Sequence, residues 1–179
     1  THAGALRMRG VEVTVEKPQN LAAAVVEFVP PRGRDSEMVP ESMTQRLSHV
    51  DWEDCVIRGE ADVFLHTTLD PVSVRLENSA VGVRGAFARI TRREPLDTSI
   101  AQDDFLSFNL QHVTAVVAGG MLNAETYCGC DFLPINFSCE DSVIIVRPER
   151  PLIAMAGAHD VGVFWNRLSW NSAATYYDL

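Results

Sequence analysis

Apolar and polar residues alternate in short bursts down this chain, from Val11-Glu12-Val13-Thr14-Val15 near the start to Val161-Gly162-Val163-Phe164-Trp165 near the end. A two-residue period puts successive side chains on opposite faces of a strand, and almost nothing between the bursts carries the 3.6-residue period of a long helix. The pattern therefore predicts an all-β domain. A first strand over 9–16 places Val11, Val13 and Val15 on one face and Glu12, Thr14 and Glu16 on the other. The run 21–29 is apolar on nearly every residue, as expected where both faces are covered, and Pro30-Pro31-Arg32-Gly33 breaks it. A short helix over 40–47, with Met43, Leu47 and Val50 at helical spacing, is expected to plug one end of a barrel.

The strand pattern resumes over 62–68 and 72–76, around the turn dipeptide Asp70-Pro71, and continues strongly over 81–90. Gly82 and Gly85 within that last run point to a bulge or a bend. The segment 91–104 reads as a polar loop, with a turn of helix over 99–105. Further strands are expected over 106–110, 112–118, 130–137, 142–146, 152–156 and 161–170. No repeat recurs at a fixed period. Eight to ten short strands at these intervals suit a jelly-roll β-sandwich or barrel of about eight strands with one or two short helices. The 179 residues make one domain, 1–179, with short N- and C-terminal extensions.

Composition narrows the partners. A formal net charge of -9 argues against broad binding to phosphate backbones, which needs clustered cations. Lys17 is the single lysine beside fourteen arginines, a bias that suits planar, bidentate pairing at interfaces. No apolar run approaches the roughly 18 residues of a membrane span, so no membrane partner is expected. Four cysteines, Cys55, Cys128, Cys130 and Cys139, are too few for a disulfide framework and suggest a reducing compartment. Asn136-Phe137-Ser138 is a glycosylation sequon in what reads as a buried strand.

Catalytic and metal motifs are weak. Cys128-Gly129-Cys130 lacks the second pair that a structural zinc site wants, and no Gly-x-Ser-x-Gly elbow surrounds a serine. His159-Asp160, Asp103-Asp104 and Glu140-Asp141 read as solvated turns rather than as a catalytic pair or calcium loops. No catalysis, cofactor or metal is expected. The residues marked for contact with other molecules are Arg92, Arg93, Arg147 and Arg150, for RNA phosphates or acidic neighbours, and the aromatic set Trp165, Trp170, Tyr176 and Tyr177. The aromatics crowd the last fifteen residues and are equally suited to another subunit or to the chain's own core.

The strand pattern, the closing segment Asp160-Val161-Gly162-Val163-Phe164-Trp165-Asn166-Arg167-Leu168-Ser169-Trp170 and a start at Thr1 without an initiator resemble the jelly-roll capsid subunits of picorna-like plant viruses, the secovirids. The likeness is greatest to the cheravirus type, with three small coat proteins. That resemblance implies a polyprotein product found in the virion and, during assembly, in the host cytoplasm. It would join other coat proteins in a pseudo-T=3 icosahedral shell around positive-strand RNA, with local RNA contacts. Two other readings stand beside it. One is a β-sandwich carbohydrate-binding or glycoside-hydrolysing domain, with Trp165 or Trp170 stacking a sugar and paired carboxylates as acid and base. The other is an accessory β-domain that binds proteins.

Overall fold

A computed structural model describes residues 4–16, 23–28, 47–68, 70–92, 104–126, 133–157 and 161–179. The chain winds as a three-sided parallel β-solenoid, and the expectation of a jelly roll is overturned: every strand pairing is parallel. The first coil holds β1 (Ala5–Arg9), β2 (Glu12–Val15) and β3 (Ala24–Phe28). The second holds β4 (Ser48–Glu53), β5 (Val56–Gly59) and β6 (Asp62–His66), and the third β7 (Val72–Glu77), β8 (Ala80–Val83) and β9 (Ala88–Arg92). The fourth holds β10 (Leu106–Gln111), β11 (Thr114–Val117) and β12 (Leu122–Thr126), and the fifth β13 (Ile135–Glu140), β14 (Val143–Val146) and β15 (Ile153–Ala156). After a short helix α1 (Val161–Trp165) come β16 (Leu168–Ala173) and β17 (Tyr176–Asp178). Each strand pairs with its counterpart one coil on. The result is a first sheet β1-β4-β7-β10-β13-β16, a second β2-β5-β8-β11-β14-β17 and a third β3-β6-β9-β12-β15.

Two-residue turns join the first sheet to the second in all six coils. Their first residue sits in the left-handed region: Gly10, Asp54, Asn78, His112, Asp141 and Ala174. Glycine adopts this conformation freely, and Asn, Asp and His tolerate it better than most other side chains. Long connections leave a different corner, between the third sheet and the next coil's first strand, where they span 29–47, 93–105 and 157–167 but only 67–71 between β6 and β7. Unequal connections give the coils unequal lengths.

In-register pairing stacks like residues inside the solenoid. One interior row runs Val50, Val74, Phe108, Phe137 and Trp170 on the first sheet, with Phe108 on Phe137 at 4.6 Å and Phe137 on Trp170 at 4.7 Å, both stacked. Phe64 and Phe87 meet this row from the other side, and Trp52 stacks on Phe64 at 5.0 Å. Each ring removes a large apolar area from water and gains about 0.5–1.5 kcal/mol more from the ring geometry.

Several local expectations change with the fold. The strand expected over 9–16 is cut by the Gly10-Val11 turn, so Val11 lies in a turn and is 38% exposed. The strand expected over 161–170 is helix α1 followed by β16. That over 81–90 is split at a corner, where Gly85 is required: a Cβ there would lie 2.4 Å from the Ala61 carbonyl oxygen and 2.4 Å from Asp62 Oδ1. All but Leu47 of the helix expected over 40–47, and most of that over 99–105, lie outside the described residues. Among the described residues no helix is long and apolar enough to cross a membrane.

Candidate functional site

In a parallel solenoid the residues between inward positions face solvent, and neighbouring coils bring them into rows about 4.8 Å apart. On the first sheet one outward row is Ala5, His49, Ser73, Ser107, Asn136 and Ser169, and the next is Arg7, Asp51, Arg75, Asn109, Ser138 and Asn171. A third row runs Arg9, Glu53, Glu77, Gln111, Glu140 and Ala173. The face divides into two halves. Over the first three coils it is charged, with the ion pairs Arg7–Asp51 at 3.3 Å, Arg9–Glu53 at 3.1 Å and Arg75–Glu77 at 2.6 Å, each at least partly solvated and so weak. Over the last three coils it is an array with Glu140 as its one charge: seven of nine outward positions are Ser, Asn or Gln, and none is Lys or Arg. A flat surface of hydroxyls and carboxamides donates and accepts hydrogen bonds along its whole length without imposing a charge. Trp165, 56% exposed, stands on α1, which packs against β16 of the same half.

The second concentration of polar chemistry is on the third sheet. Arg89 donates through Nε to Asp62 Oδ2 at 2.6 Å and through Nη1 to Glu125 Oε1 at 3.1 Å, so three coils are joined by one guanidinium. Hydrogen bonding to Asp62 outweighs burial and holds Arg89 above its ordinary pKa. Asp62 Oδ1 also accepts the Ala86 amide at 2.6 Å. With both oxygens engaged, the Asp62 carboxylate is a corner staple and a poor candidate for an acid or base. Among the described residues no group of three or more His, Cys, Asp or Glu is placed to hold a metal ion.

The residues marked from sequence are scattered. Trp170 points inward, stacked on Phe137, and its Nε1 donates to the Tyr177 hydroxyl at 3.1 Å; the two rings fill the interior of the last coil. Tyr176 faces outward on the second sheet, 63% exposed. Arg147 and Arg150 occupy the exposed turn between β14 and β15, with Arg147 3.9 Å from Glu149, at a different corner from Trp165. Arg92 ends β9, and Arg93 lies outside the described residues, as do Cys128, Cys130 and His159-Asp160. Glu140 is outward on the first sheet, and Asp141 is in the turn beside His112, 3.5 Å away. His66 is buried, its Nε2 within 2.9 Å of the Asp70 carbonyl.

The polar array was missed, yet it leaves a mark in the chain. Ser107-Phe108-Asn109, Asn136-Phe137-Ser138 and Ser169-Trp170-Asn171 repeat a polar, aromatic, polar triplet. The aromatic stacks inside while its neighbours line up outside. The sequon is one of these triplets, and Asn136 itself is exposed. No family model matches this chain, and neither the curated proteins nor the solved structures give a match.

Proposed function

We propose that this chain is a binding module for an uncharged, extended polysaccharide, laid along the solenoid axis over the outer face of β10, β13 and β16. The observation that carries the reading is the neutral array of Ser107, Asn109, Gln111, Asn136, Ser138, Ser169 and Asn171. Its repeat of about 4.8 Å is comparable with the advance of one sugar unit in an extended glycan, so successive sugar hydroxyls meet one carboxamide and one serine hydroxyl on each coil, in alternating order. Trp165 supplies an exposed aromatic plane at the corner of the same half, where one sugar ring can stack. The absence of Lys and Arg from these nine outward positions disfavours an acidic polymer or nucleic acid there. The reading needs no catalytic step. Assembly into an icosahedral shell followed from the jelly roll, and with that fold corrected no geometry among the described residues favours it.

A glycan microarray probed with the labelled protein, followed by calorimetric titration of the best neutral oligosaccharide, tests the proposal. Each neutral hydrogen bond contributes roughly 1 kcal/mol, so replacing Asn109, Asn136 and Asn171 together by Ala lowers affinity by roughly 100-fold. Trp165→Ala weakens binding further, and binding shifts the emission of Trp165. A folded protein that retains no neutral glycan, or a triple variant that binds as the parent does, sinks the idea.

A further inference from the structure

The polar array on the first sheet has a finer order than its composition. On β10 the two outward positions nearest the strand start are Ser107 then Asn109, on β13 Asn136 then Ser138, and on β16 Ser169 then Asn171. Each coil therefore offers one hydroxyl and one carboxamide, and the two exchange rows from coil to coil. All three asparagines are exposed, and Asn171 Nδ2 donates to Ser169 Oγ at 3.2 Å, which holds that pair side by side. Pairing runs unbroken from Leu106 to Gln111 and from Ile135 to Glu140, so no bulge displaces one pair from the next. We infer, given the polysaccharide reading of this face, that its ligand is a straight two-fold ribbon, a β-1,4-linked glucan.

The argument is the shared symmetry of protein and ligand. A glucose ring linked through both ends of its long axis has two unlike edges: one carries the two ring hydroxyls, the other the hydroxymethyl group and the ring oxygen. In a β-1,4-linked chain each ring is turned over relative to the one before, so like edges alternate from side to side and recur every second sugar. The array recurs every second coil, about 9.6 Å, with one coil to each sugar. A carboxamide holds donors and an acceptor side by side and spans the paired ring hydroxyls, whereas one serine hydroxyl serves the hydroxymethyl group. Every sugar of the ribbon then meets the same two partners. An α-1,4-linked glucan curves into a helix and leaves the rows within a coil or two, and a chain whose rings all face one way meets the right partners only at alternate sugars. The pattern stops at β7, where the position beside Asn109 is Arg75, tied to Glu77 at 2.6 Å. The ribbon is therefore read over three coils.

Calorimetric titration with cellohexaose and maltohexaose, glucose hexamers that differ only in linkage, tests this. The parent is expected to bind cellohexaose at least tenfold more tightly. The double variant Asn136→Ser with Ser138→Asn keeps the composition of the array but sets all three carboxamides in one row. It is expected to keep the parent's circular dichroism, to lose at least tenfold in affinity for cellohexaose and to change little toward maltohexaose. A protein that does not favour cellohexaose, or a double variant that binds it as the parent does, overturns the inference, and retention of any neutral glycan then leaves the polysaccharide reading standing. A protein that binds no neutral glycan overturns both. Should the double variant fail to fold, the parent's preference between the two hexamers decides the matter.

Discussion

The Ser142 hydroxyl bridges two stacked turns: it accepts the amide N–H of Val113 at 3.1 Å and donates to the Glu140 carbonyl at 2.8 Å. Ser79 repeats the arrangement two coils away, accepting from the Cys55 amide at 3.1 Å and donating to Glu77 at 2.7 Å. Both serines are buried. Replacing Ser142 by Ala strands a buried amide, which costs about 1–3 kcal/mol, and Ser79→Ala is expected to cost the same. Urea denaturation of each variant measures it; losses under half a kcal/mol would show that the turns close without the hydroxyl.

The Asp62–Arg89–Glu125 cluster ties three successive coils together through one guanidinium. Arg89→Leu leaves the Asp62 carboxylate, 8% exposed, without its counter-ion, and is expected to destabilise by about 3 kcal/mol. Asp62→Asn keeps an acceptor for the Ala86 amide and is expected to cost less. Thermal melts of the two variants give the order; equal losses would contradict it.

Phe137 lies between two stacked rings. Its truncation to Ala opens a cavity in the centre of the interior row and is expected to cost about 3–5 kcal/mol. Near-ultraviolet circular dichroism should lose signal as Trp170 is released from its neighbour, and an unchanged spectrum would contradict the packing.

Ala174 is the one turn residue of the six whose side chain has no means of offsetting its φ of 48°. Left-handed backbone costs an ordinary L-residue about 1 kcal/mol or more. Ala174→Asn is therefore expected to stabilise by up to about 1 kcal/mol, raising Tm by roughly 2–4 °C for a chain of this size. Differential scanning calorimetry reads the shift, and a lower Tm would count against it.

Burial pushes the Cys139 thiol up to about 11, partly opposed by its hydrogen bond with Tyr177. In the unfolded chain an ordinary thiol ionises near 8.5. The folded form therefore holds a proton that the unfolded form has lost between about pH 8.5 and 11. The stabilisation is complete below that window and falls by about 1.4 kcal/mol per pH unit as pH rises through it. Stability measured against pH should decline less steeply in Cys139→Ala than in the parent over this range, with no difference below pH 8.

The β character of the chain was legible from Val13, Val74 and their polar neighbours, because side-chain alternation is a property of the single strand. Alternation also implied the wrong architecture. Buried parallel sheets usually read as continuous apolar runs, whereas half-solvated antiparallel sheets alternate, so a jelly roll was the natural inference. A solenoid escapes that rule: its parallel strands bury one face against the interior and turn the other to water.

Local chemistry therefore decided that the chain forms short alternating strands, that Glu140-Asp141 lies at a turn, and that the phosphate-binding classes are disfavoured. The partner of each strand was decided only in three dimensions. Ser107-Phe108-Asn109 and Ser169-Trp170-Asn171 fall into register because each coil closes on the one before it, while connections as unequal as 67–71 and 93–105 erase any constant period between them. Periodicity along a chain survives only when every connection has the same length. Hydrogen bonds between coils require matching strands and place no condition on the loops that join them.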